Sequence, residues 1–200
     1  MDEMFGVVCG LNNTKERLTV VIDKGMNAEA NFSWIDEHPR IHFITTYSTY
    51  FSQDLAATPL ERFDIIDLAK NERLMQDDRR EDCLRAYRTK GEYWGKERAV
   101  VVTYNPRTAR KKQYTFESKL ETIRQELLMM RTKVREGKPH WRNADAVRER
   151  YLRLCERLHV ASDLFVLRFD QSAKGFSMSF RKDPYKLKQK RAMFGKNIII

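Results

Sequence analysis

With 200 residues, 42% hydrophobic and 11% aromatic, the chain is large enough for one core-forming domain, or one domain carrying a large insertion, and too apolar for wholesale disorder. No run approaches the ~18–20 apolar residues of a membrane span, and the acidic start MDEMFGVVCGLNN lacks the basic region of a secretory signal, so a cytoplasmic protein without a membrane partner is expected. The net charge of +10 is divided unevenly: residues 1–105 carry −4 and residues 106–200 carry +14, which points the second half toward a polyanion, DNA foremost, unless it is only a solvated basic helix surface.

Residues 2–10 read as the tail of a helix and Asn12-Asn13-Thr14-Lys15 as a turn. Leu18–Ile22 is dense in β-branched residues without polar alternation, the pattern of a strand buried on both faces. Gly25 breaks it. Asn27 is a suitable N-cap, with Glu29 in the first turn, for a short helix whose apolar face is Ala30, Trp34 and Ile35. Ile41–Thr46 is a second strand, so strand, helix and strand make a βαβ unit with parallel neighbours.

Thr58-Pro59 reads as a helix start, the charged stretch 72–90 as helical, and Glu97–Thr103 as a strand stopped by Tyr104-Asn105-Pro106. Phe116, Leu120, Ile123, Leu127, Met130 and Val134 then recur at spacings of 4, 3, 4, 3 and 4, a heptad seam. Val147, Tyr151, Leu154 and Leu158 repeat the pattern after Gly137-Lys138-Pro139, which predicts an antiparallel helical hairpin over 113–158. Its stripe either packs within the chain or forms a homodimer surface. Residues 164–180 alternate with period two around a Gly-containing turn and read as a β-hairpin. The basic segment RKDPYKLKQKRAMFGK follows, and the sequence ends in NIII, the start of a strand expected to present an unpaired edge.

Asp23 stands where the first strand runs out. A carboxylate at the carboxyl end of a strand in an open α/β sheet is either a turn residue or an oxygen ligand for a hard cation such as Mg²⁺. Arg107, Arg110, Lys111 and Lys112 form one basic cluster; Arg181, Lys182, Lys186, Lys188, Lys190 and Arg191 form a second. Such clusters neutralise phosphates with little regard to sequence. Tyr114 and Tyr185 lie among them, placed either to stack on exposed bases or to pack against neighbouring helices. The three cysteines are odd in number and far apart, which fits buried thiols in a reducing compartment. The four histidines are isolated, and neither a phosphate-binding glycine loop nor a small-molecule site is indicated.

The stretch TVVIDKGMNAEANF resembles the second-aspartate strand of DDE transposases of the bacterial insertion-sequence type, in which three apolar residues lead into Asp-x-Gly-x-x-Ser/Asn, a helix, and a second strand like IHFITT. AVVVTYNPRTARKKQYTFESKLETI is similar to the region after that aspartate, and FRKDPYKLKQKRAMFGKNIII to the exit from the insertion that precedes the last catalytic residue. The resemblance implies an α/β fold: a partial ribonuclease-H-like parallel-sheet core over 1–50, an α+β insertion over 51–196, and the start of a core strand at 197–200. It implies a metal-dependent enzyme of DNA transposition, using Mg²⁺ to cut and join strands, in which Asp23 is the second of three carboxylates. The first Asp and the final Glu match no position in this chain, so the chain by itself is expected to lack transposase activity. Two other expectations stand beside it: a self-contained basic nucleic-acid-binding protein, and a protein that dimerises through its helical hairpin.

Overall fold

The computed structural model describes residues 17–172 and 175–200; the expectations for residues 2–15, and for the hairpin turn at 173–174, lie outside them. The protein is mixed α/β, and the chain divides into two compact units. Unit 1 runs to Arg107 and takes back Gly195–Ile200, while unit 2 is Thr108–Phe194. The segment 51–105 is thus grouped with the first sheet. No described helix is long and apolar enough to cross a membrane.

In unit 1, β1 (Leu18–Ile22), α1 (Glu29–Asp36) and β2 (Ile41–Tyr47) form the expected βαβ unit, with β1 and β2 parallel from Leu18 opposite Ile41 to Ile22 opposite Thr45. β1 is not buried on both faces. Leu18, Val20 and Ile22 turn inward, whereas Val21 is 79% exposed, because β1 is the margin of the described sheet and α1 covers one side only. The apolar face of α1 also differs from expectation: Phe32 and Ile35 are buried, Trp34 is partly so, and Ala30 is exposed. Nor does Asn27 cap this helix. Ala28 holds the cap position without a side-chain bond, and the Asn27 amide is used elsewhere.

Beyond α2 (Gln53–Ala56) a short 3₁₀ turn, Leu60–Arg62, follows Pro59 where a helix start is predicted. β3 (Asp64–Ile65) and α3 (Ala69–Gln76) come next. The predicted helix over 72–90 holds only at its beginning, since Arg85–Tyr93 is a strand, β4. Its alternation of Tyr87, Thr89, Gly91 and Tyr93 with Arg88, Lys90 and Glu92 has period two, which the density of charge conceals. A two-residue turn joins β4 to β5 (Lys96–Tyr104). Trp94 and Gly95 both have positive φ, 48° and 72°, the backbone that a tight hairpin turn requires. Fully buried Asn71 ties β3 to β4: its Nδ2 donates to the carbonyls of Ile66 and Leu84, and its Oδ1 accepts from the Leu84 amide, each at 2.8 Å.

The strand β8 (Lys196–Ile199) is no bare edge. It lies antiparallel between β2 and β5, giving the order β1-β2-β8-β5-β4-β3, a mixed sheet whose parallel contact is β1 with β2. Lys196 is nearly buried and donates from Nζ to the carbonyls of Ala56 and Thr58 at 2.7 and 2.6 Å. Burial pushes its ammonium below the ordinary lysine range.

In unit 2, α4 (Pro106–Arg135, its first two residues counted with unit 1) and α5 (Ala144–Leu158) carry the predicted stripes. All six seam residues of α4 are buried, together with Val147, Tyr151, Leu154 and Cys155 of α5. The helices run antiparallel: Met130 shares a concavity with Leu154, and Phe116 with Val160. The stripe is therefore consumed inside the unit. The hairpin of β6 (Phe165–Ser172) and β7 (Gly175–Lys182) adds Phe165 and Met178 to this core. Unanticipated is α6 (Pro184–Ala192), which starts with Pro at its first position and is capped by Asp183, and which buries Leu187.

One ion pair fixes α1 against β5. Arg98 donates from Nη1 and Nη2 to the two oxygens of Asp36 at 2.8 and 2.6 Å, with Lys96 Nζ at 3.4 Å. The Arg98 hydrogen bonds hold the Asp36 carboxyl below its ordinary value of 3.8, against the opposing effect of burial. Its stabilisation is complete above pH 3.8 and is lost as pH falls through the lowered folded value. Arg98→Met is expected to cost about 2–3 kcal/mol at pH 7 by urea unfolding, because it leaves a largely buried carboxylate with only Lys96. The gap to the unsubstituted protein should close in acid as Asp36 protonates.

Candidate carboxylate rim and nucleic-acid interface

The rim at the carboxyl ends of β1 and β2 is built around Thr45, which is 1% exposed. Its Oγ1 lies 3.0 Å from the Ile22 carbonyl oxygen and 2.8 Å from Asn27 Oδ1, and its single proton serves one of them at a time. Asn27 Nδ2 donates to the Thr46 carbonyl at 3.0 Å. Both ends of the turn that bears Asp23 are thereby bonded to β2. Inside that turn Asp23 caps the 3₁₀ segment Lys24–Met26, its Oδ1 accepting from the Gly25 amide at 2.8 Å. A Cβ on residue 25 would sit 3.2 Å from that oxygen, so the glycine permits close approach of the Asp23 carboxylate to its own backbone.

Asp23 is exposed, with one oxygen engaged at Gly25. Among the described residues no group of three or more His, Cys, Asp or Glu side chains is placed to hold a metal ion. One monodentate carboxylate on a surface turn does not make a divalent-cation site, which takes several oxygen ligands. The described residues on their own do not fit Mg²⁺.

The basic residues fall into distinct settings. In unit 1, Arg107 lies 3.5 Å from the buried carboxylate of Asp82, which Arg79 also contacts. In unit 2, Arg110 is exposed and has a partner of its own. Lys186 pairs with Asp163 at 3.3 Å. Arg191 donates from Nε and Nη2 to Glu117 Oε1 at 2.9 and 2.6 Å, bracing α6 on α4. Arg181 and Lys182 are exposed at the end of β7, opposite Val166 and Phe165, and Lys188 is exposed on α6.

Lys111, Lys112 and Lys190 come together. They line one concavity with Lys119, a further cation, and with His159. Lys119 was legible, since residues 111, 112, 115 and 119 follow the helical period on one face of α4. His159 was not. It reaches the groove because it ends α5 in the left-handed conformation, φ 51°, a position that glycine more often fills. Tyr114 and Tyr185 are 81% and 65% exposed, so neither is packed away under a neighbouring helix.

Comparisons of the chain with protein-family models, with curated proteins and with solved structures return no match. Thr45→Val should leave Asn27 without its buried hydroxyl partner and cost about 1–2 kcal/mol. Hydrogen exchange should rise selectively at the amides of residues 23–27; uniform acceleration across β1 and β2 would contradict the role given to Thr45.

Proposed function

We propose that this chain is the central part of a DDE-type transposase catalytic domain, with Asp23 as one carboxylate of a dispersed set, and that its second unit binds DNA by contacts to phosphate. The observation carrying this reading is Asp23 held at the carboxyl rim of a parallel βαβ unit, with its turn tethered to the neighbouring strand. That is where α/β sheets assemble functional groups. The ribonuclease-H-like assignment rests on this unit and on the motif around Asp23. Further support comes from topology: a basic unit leaves the sheet after β5 and returns at β8, its immediate neighbour.

On this reading the chain contributes position and binding, not chemistry. One carboxylate cannot set two cations about 3.5–4 Å apart as in-line phosphodiester displacement requires. The remaining carboxylates belong to polypeptide other than the described residues. The alternative of a self-contained basic module shares the DNA-binding surface and differs at Asp23, which is then only a turn cap. In-frame coding sequence on both sides, with an Asp on an upstream strand and a Glu on a downstream helix, supports the transposase reading; unrelated flanks overturn it. The dimerisation alternative would need a surface other than the seam, whose residues are buried in the core of unit 2.

Binding to a mixed-sequence duplex should weaken steeply with salt, linearly in log K against log salt. The triple substitution Lys111→Glu, Lys112→Glu, Lys190→Glu should lower the slope by about 3, whereas Asp23→Asn should leave affinity unchanged. A slope near zero for the unsubstituted protein would exclude a phosphate-driven interface.

A further inference from the structure

The concavity of unit 2 has two kinds of wall. Its volume is about 430 Å³. At its floor partly exposed Phe194 packs edge to face on buried Phe116, with centroids 5.3 Å apart. Around them stand Lys111, Lys112 and Lys119 from α4 and Lys190 from α6. Among the described residues none of these four lysines makes an ion pair. From Lys111 to Lys119 the row spans roughly 12 Å along the helix. The Glu117–Arg191 bond keeps α6 against α4, so the aromatic floor and the lysine rim are held together before any ligand arrives.

Duplex DNA does not use such a site fully. Its outer surface offers phosphates, but its base faces are stacked inside, and an aromatic floor would meet nothing that complements it. An unpaired nucleotide presents what the groove lacks: a flat apolar face between negative charges. Base faces stack on aromatic rings without regard to sequence. Lysine supplies point charges that neutralise phosphates without demanding a fixed geometry. Tyr114, exposed one turn along α4 from Lys111, extends the stacking surface beyond the concavity.

We propose that this groove binds single-stranded nucleic acid, with a base against Phe194, the partly exposed ring that buried Phe116 backs, and its flanking phosphates on Lys111, Lys112, Lys119 and Lys190. The proposal rests on the reading of unit 2 as a DNA-binding surface and narrows it to unpaired strands.

The test is fluorescence anisotropy of the full chain with a labelled 20-nucleotide oligo-dT and with a 20-base-pair mixed-sequence duplex at one salt concentration. Oligo-dT should bind at least tenfold more tightly. Phe194→Leu should weaken oligo-dT about tenfold and leave the duplex within about twofold. Lys190→Glu, an exposed change that spares the core, should weaken oligo-dT about fivefold, with folding of both variants checked by circular dichroism. Duplex binding equal to or tighter than oligo-dT overturns the single-strand proposal while leaving the DNA-binding reading intact. No binding to either probe overturns both. Displacement of oligo-dT by polyglutamate at equal charge concentration also overturns it, since charge alone would then account for binding.

Discussion

The last five residues, Lys196 to Ile200, hold the sheet of unit 1 together, Ile200 exchanging both backbone hydrogen bonds with Thr45. Lys196–Ile199 form β8, and its two edges pair with β2 and with β5. Without it the parallel β1–β2 pair and the antiparallel β3–β4–β5 ladder share no backbone hydrogen bond, and the buried residues Ile198, Val100 and Val102 lose their common layer. Lys196 adds a second tie by binding the carbonyls of Ala56, the last residue of α2, and Thr58. The same pairing governs the chain path. Tyr104 lies opposite Lys196, and the Asn105 amide donates to the Gly195 carbonyl at 2.8 Å, so the exit toward unit 2 and the return from it are adjacent. A large excursion whose ends are clamped by a strand pair costs a sheet little, because loop-closure entropy grows only slowly with length.

The two units spend their charges differently. Unit 1 sets an acidic side chain at a sheet rim and spends several of its cations internally: Arg98 on Asp36, Lys196 on backbone carbonyls, Arg107 and Arg79 on Asp82. In unit 2, Lys111, Lys112, Lys119 and Lys190 stand around an aromatic floor without an ion pair among the described residues. Net charge on the second half is thus an incomplete guide to contact. Arg191 and Lys186 count in the same total, yet both already have carboxylate partners.

What the sequence disclosed follows from which forces are local. The seam of α4 was legible because an unbroken helical period needs no knowledge of its partner, and β1 and β2 because β-branched runs bounded by Gly25 and Pro39 leave few alternatives. β4 was hidden: Arg85–Tyr93 only half-buries its inward, partly polar positions, and its pairing with β5 turns on a Trp94-Gly95 turn that lacks the usual Asn-Gly signature. α6 was hidden by its charge, since it buries Leu187 alone. At the rim, Asp23 was visible as a residue type, but the work of Thr45 and Asn27 was not, because a hydroxyl on one strand and an amide after another become a pair only when the register sets them together. The groove combines both cases: its lysine row has a helical period, whereas Phe194 and His159 enter it only through the packing of α6 and the left-handed end of α5.

The most direct measurement is hydrogen exchange by mass spectrometry on the full chain, with and without DNA. The account predicts that bound DNA slows exchange in residues 108–119 and 186–194, which flank the groove, and leaves residues 18–47 unchanged. Protection confined to residues 18–47, or absent throughout at saturating DNA, would contradict a chain in which the first unit frames a carboxylate and the second carries the nucleic acid.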